Sequence, residues 1–409
     1  MSMAIPARPA FRVGLVALAS SLVAAACGSV TVDESATGAP SSAPPAAAVA
    51  APASPGQPGE VLAATEAAPP ANARAWLVDY HSQDLAGHDI AERAMLTVPM
   101  TQPPPGGFPV IVWGHSSKGV ADVCAPSLEG ASAIPLVDDL LAANYAVVAP
   151  DFEGLGAAGP HPYLIGTSEG RSMLDAARAA DRVTGSGVTP SSPVILWGYS
   201  QGGHAAAFAG QLAPTYAPEL HIAGVAMAAP VADVDHFVRR SENWPEQFGF
   251  LVATADAYAR VYPGLDRSTV FTPALLGDLD ELDNQCLTDV NAYYNRPIAD
   301  MLVKTPRDVP AFEQRLAENQ AGLAPIAAPV LVIQGNEDQI VDPTDTDDLV
   351  HRYCDQHVRV SYLVRTGSNH GVLDDDVLLP WVRGRLIGDQ PPDNCADLRT
   401  STSPTLGGP

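Results

Sequence analysis

The chain has 409 residues, 46% of them apolar and 17% charged, enough for one large core with an insertion or for two smaller ones. Its formal charge of −24 argues against nucleic acid, or an anionic membrane surface, as an electrostatically attracted partner.

Arg8 and Arg12 precede an apolar stretch over 13–26 that is too short to span a bilayer and ends in Ala24-Ala25-Ala26, so 1–26 reads as a secretory signal. Cys27 directly after these small residues resembles the lipobox of bacterial lipoproteins, in which the cysteine becomes the lipidated first residue. Ala24 stands where Leu is usual there, and ordinary cleavage near Ala26 would leave Cys27 unmodified. Either route exports the chain; lipidation would also attach it to a membrane. From 27 to 72, Ala, Pro, Ser and Gly dominate, which reads as a disordered tether or a pro-segment. The folded domain is expected over 73–395, with a flexible tail over 396–409.

Strands are expected at 75–80, 90–98, 108–114, 145–150, 194–199, 222–229, 329–335 and 358–364, and helices at 134–144, 168–183 and 204–211. Short apolar runs alternating with helical segments predict an α/β fold with a mainly parallel, doubly wound sheet covered on both faces. Residues 232–325 break this rhythm: they are rich in acids, prolines and aromatics such as Trp244, Phe248, Tyr258, Phe271 and Tyr294, and contain no strand run. They read as an inserted helical cap above the strand ends, with aromatic and aliphatic side chains lining an acyl site.

The run at 193–197 leads into Gly198-Tyr199-Ser200-Gln201-Gly202, and an Ala-rich helical segment follows. Strand, Gly-x-Ser-x-Gly and helix in succession is the context of a nucleophile elbow. A serine hydroxyl is a weak nucleophile at neutral pH and needs a histidine base, which in turn needs a carboxylate to set its tautomer. Asp338 follows the strand at 330–334, and His370 follows the one at 358–364, giving the order Ser, acid, His. Glu337 and Asp342 compete with Asp338. Among the histidines, His204 falls along the elbow helix, while His351 and His357 precede the last strand. For the oxyanion, Gln201 would supply one backbone N–H, and His115 or Ser116, in the loop 114–119, a second.

Trp113 to Ser127, with its Gly114-His115-Ser116 turn and Cys124-Ala125-Pro126-Ser127 segment, resembles the secretory lipase family, as do Ala149 to Gly156, Gly159 to Tyr163, the elbow, and the Asp338 and His370 segments. The resemblance implies an α/β-hydrolase with a helical cap that acts on carboxylic esters, including acylglycerols, without metal or cofactor. Many members have His-Gly where this chain has His115-Ser116, so the loop here has less backbone freedom. Beyond Cys27, an exported chain with Cys124, Cys286, Cys354 and Cys395 is expected to form disulfides, and three connectivities are open. The resemblance implies Cys124 with Cys286 and Cys354 with Cys395.

The expected function is therefore that of an exported serine ester hydrolase, a lipase or esterase, with Ser200 as nucleophile, His370 as base and Asp338 as its orienting acid. Two alternatives use the same fold: an acyltransferase with the same triad, and a surface lipoprotein that binds without turnover.

Overall fold

The structure is a computed structural model that describes residues 49–51, 54–373 and 375–400. Cys27, the signal segment and the end of the tail lie outside the described residues.

Nine strands form one sheet: β1 (Val61–Ala67), β2 (Ala73–Gln83), β3 (Asp89–Pro99), β4 (Val110–Gly114), β5 (Ala146–Pro150), β6 (Val194–Tyr199), β7 (Ile222–Ala228), β8 (Val330–Gly335) and β9 (Val360–Arg365). Their order is β1-β2-β3-β5-β4-β6-β7-β8-β9. The first three, and the β3–β5 pair, are antiparallel; every pair from β5 to β9 is parallel.

The parallel strands read as unbroken apolar runs because successive side chains enter different cores. Val110 and Val112 of β4, with Leu196 of β6, face the cluster under α2 (Gly166–Arg182) and α3 (Gln201–Tyr216). Ile111, Trp113, Ile195 and Trp197 face the opposite cluster, which packs on α1 (Val137–Ala142) and α11 (Asp375–Leu386).

The cap comprises α4 (Val234–Ser241), α5 (Phe248–Val261), α6 (Pro273–Gly277), α7 (Leu287–Tyr293), α8 (Ile298–Met301) and α9 (Pro310–Glu318). It has its own core, in which Phe248, Tyr258, Phe271, Leu275, Tyr294 and Phe312 are buried together. This differs from the expected lining role: most of the cap aromatics hold the cap itself together. Where it meets the main domain, Tyr163, Leu164 and Val341 join the same cluster.

Two expected boundaries are corrected. The segment read as tether to residue 72 already contains β1, whose middle residues are exposed and which is held by backbone pairing from Val61–Tyr80 to Ala67–Ala75. An edge strand of this kind needs backbone partners rather than apolar side chains, so composition hides it. The expected tail bound of 396 is likewise too early, because Cys395–Thr400 forms α12, tied by Cys395 to Cys354 of α10 (Pro343–Asp355).

Candidate active site

Ser200 sits between β6 and α3 with φ 58° and ψ −116°, a left-handed conformation that a non-glycine residue adopts only under constraint. The constraint is steric and local. A Cβ on Gly198 would stand 1.9 Å from the Gly202 carbonyl oxygen, and one on Gly202 would stand 1.9 Å from that of Gly114. The two glycines thus let the elbow helix press against both β6 and the loop after β4.

His370 follows β9, and its Nε2 lies 3.0 Å from Ser200 Oγ. Its Nδ1 lies 2.7 Å from Asp338 Oδ2. Asp338, in the loop after β8, is buried, and its Oδ1 accepts the N–H groups of Ile340 (2.8 Å) and Val341 (3.0 Å). Its Oδ2 also accepts from Gln334 Nε2 at 2.9 Å, and Gln334 Oε1 is held by Thr346 Oγ1 at 2.8 Å. A carboxylate only accepts, so the imidazole proton resides on Nδ1 and Nε2 is left to accept from the serine hydroxyl. The acid and histidine loops are themselves joined: Glu337 N–H donates to Ser368 O at 2.9 Å and Gly367 N–H to Asn336 Oδ1 at 2.7 Å. Tyr199 packs its ring 5.0 Å from that of His370.

The competing residues have other partners. Asp342 caps α10, accepting Thr344 N–H at 3.0 Å, and pairs with Arg240 of the cap; Glu337 is exposed. His351 lies on α10 and His357 in the turn before β9, at the end of that strand away from His370.

Gln201 opens α3, where first-turn N–H groups have no acceptor within the helix. The His115 ring is buried against Phe152, between the carbonyl oxygens of Ser116 (2.7 Å from Nδ1) and Asp151 (3.1 Å from Nε2). Burial pushes its pKa down to about 4, so the ring is neutral at pH 7. What His115 can offer an oxyanion is therefore its backbone N–H rather than its ring.

One residue that the sequence did not single out joins this region together. Glu169 of α2 is fully buried; its Oε1 accepts from Gln201 Nε2 at 2.7 Å and from Leu164 N at 2.9 Å. Its Oε2 lies 3.2 Å from His204 Nδ1. His204 Nε2 faces the Asn319 carbonyl at 2.9 Å, and Asn319 Nδ2 donates to Tyr262 of the cap at 2.9 Å. Gln201 Nε2 also reaches His161 Nε2 at 3.0 Å. In sequence, a helical glutamate gives no sign of such burial.

The cysteines pair Cys124 with Cys286 and Cys354 with Cys395. The first bond joins the segment after the loop 114–119 to the start of α7, where Leu287 N–H also donates to Lys118 O at 2.7 Å.

A sheet of this order with its elbow after β6 defines an α/β-hydrolase. Within that class the chain belongs to the secretory lipase family, which matches residues 125–394, and so to the carboxylic ester hydrolases. Membership of a secretory family also makes it an exported protein. A Mycobacterium tuberculosis protein named a probable inactive lipase is 28% identical over 355 residues, covering 81% of this chain and 77% of that one. Lipase A of Arthroderma benhamiae is 29% identical over 294 residues, covering 66% of this chain and 58% of its own length. Among solved structures, Candida antarctica lipase A in its closed state matches with a TM-score of 0.73 at 20% identity, over 82% of this chain and 84% of that one. A mutant of the rice cell wall degrading esterase LipA from Xanthomonas oryzae matches at 0.68 and 21%, over 81% and 99%. At these identities the structural likeness is one of fold.

Proposed function

We propose that this protein hydrolyses carboxylic esters, lipids among them, through an acyl-enzyme on Ser200. His370 Nε2 takes the hydroxyl proton as Oγ bonds to the ester carbonyl carbon, and Asp338 stabilises the imidazolium that results. The carbonyl oxygen, now negative, is met by Gln201 N–H and by a backbone N–H of His115 or Ser116. Collapse breaks the bond to the alcohol, which leaves with the proton from His370; water then repeats the sequence and releases the acid.

The observation that carries this reading is the unbroken line of contacts, 3.0 Å and 2.7 Å, from Ser200 through His370 to Asp338. It favours turnover over the binding-only alternative and over the inactivity that the mycobacterial relative's name states of that protein. A fluorophosphonate probe should label the wild type at Ser200 and fail to label Ser200→Ala. The same variant should lose about 10⁴- to 10⁶-fold in kcat on p-nitrophenyl esters with an unchanged melting curve. Undiminished hydrolysis would falsify the assignment.

The same proposal includes a lipid anchor at Cys27. Cys27→Ala should move the protein from the membrane fraction of an expressing bacterium to the soluble exported fraction; an unaltered distribution removes the anchor from the proposal.

A further inference from the structure

A cavity of about 240 Å³ opens beside the loops that carry the triad, and none of its lining residues belongs to the cap. Ser116 of the oxyanion loop, Tyr199 next to Ser200, and Leu373 three residues past His370 form the wall nearest the chemistry. The Tyr199 ring, which lines the cavity, lies 5.0 Å from the His370 ring and so places the cavity next to the base. At the floor are Met95 and Ala149, cross-strand partners in the β3–β5 pair. Ala133 and Ile134, from the loop before α1, close the outer side. The space is a gap at the upper end of the apolar layer that also contains Trp113 and Ile134.

Its charged and buried polar groups are already engaged, and the lining is otherwise largely apolar, with Met95, Pro126, Ala133, Ile134, Pro135 and Leu373. Ser127 Oγ donates to Asp151 Oδ2 at 2.6 Å, the His115 ring lies between two carbonyls, and at the rim Lys118 Nζ pairs with Glu129 at 2.7 Å. A sugar or a charged group entering here would give up hydration with little in return, whereas hydrocarbon would not.

We propose that this cavity is a subsite for a hydrocarbon arm of the ester. A buried cavity of about 150 Å³ accommodates benzene, so this one suits a chain or ring of roughly eight to ten carbons. The inference rests on ester hydrolysis at Ser200. An acyl chain and an alkyl alcohol share the required chemistry, and separate substrate series distinguish them.

The experiment measures kcat/KM for wild type, Ala133→Leu and Ile134→Ala on p-nitrophenyl esters from acetate to laurate, and on acetate esters from ethyl to decyl alcohol. In one series, wild-type kcat/KM should climb to about eight to ten carbons and then level off. In that series Ala133→Leu should lower the ratio of the eight-carbon to the two-carbon substrate about tenfold, and Ile134→Ala should move the plateau to longer chains. A response in the acyl series assigns the cavity to the acid half, and a response in the alcohol series to the leaving group. Ratios unmoved in both series by a folded Ile134→Ala would overturn the subsite while leaving hydrolysis standing, so the outcome does not depend on Ala133→Leu folding. A wild type that cleaves no ester and takes no fluorophosphonate would remove the underlying reading as well.

Discussion

Asp338 divides its work between two oxygens, and the division predicts what its amide would do. In Asp338→Asn the carbonyl oxygen keeps the two backbone N–H groups of Ile340 and Val341, which places the NH₂ against His370 Nδ1 and Gln334 Nε2. The amide then donates to Nδ1, the imidazole proton moves to Nε2, and the base can no longer accept from Ser200 Oγ. A loss in kcat of about 10⁴-fold is expected, with kinetics on a soluble ester as the check. Retention of most of the activity would mean that Asp338 does not set the tautomer. Glu169 shows the opposite limit of what a residue discloses. Asp338 and His370 follow strand ends in a readable order, but nothing near Glu169 in the sequence marks a helical acid that is sealed between Gln201 and His204.

Among elements, the loop after β4 and the helix α7 behave as one unit, because Cys124–Cys286 and the Leu287-to-Lys118 hydrogen bond connect them across 162 residues of chain. Replacing both cysteines by serine should cost about 2–5 kcal/mol in urea unfolding and, if the loop after β4 carries the proposed oxyanion donor, lower kcat/KM. A variant with wild-type kinetics and stability would show that the loop is held by its own contacts. The central strands could be read in the sequence because a strand buried on both faces must be apolar throughout. The edge strand β1 could not, since only its backbone is engaged. Helices α10 and α11 also escaped the pattern. The first begins Pro343-Thr344-Asp345-Thr346-Asp347-Asp348, more like a turn than a helix, and the second carries Pro380 inside it. In the cap, helical character was legible but the destination of the aromatics was not, because periodicity records that a face is buried and not what it is buried against.

For the molecule as a whole, buried acids set the response to pH. Burial raises the pKa of Glu92 to about 8, and those of Asp151 and Glu153 to about 7. Each is raised above its value in the unfolded chain, so its contribution is fully present below about pH 4 and is lost as pH rises through 7 to 8. His115 works in the other direction, with a folded pKa of about 4, but above about pH 6.5 it is neutral in both states and drops out. The melting temperature should therefore fall between pH 6.5 and 8.5. Glu92→Gln, which can keep the contacts to Ser172 and Tyr80, should flatten that fall. A melting temperature that rises over this range contradicts the assignment of protonated acids in the fold. The covalent tie between the segment after the loop 114–119 and the cap also bears on where the protein becomes competent. In a thiol-rich cytoplasm the two sulfurs stay reduced, and the Leu287-to-Lys118 hydrogen bond is left to connect the loop to α7 until the chain reaches oxidising surroundings. Full esterase activity is thus expected only once the disulfide has formed; refolding with and without an oxidant, followed by assay, reads this delay directly.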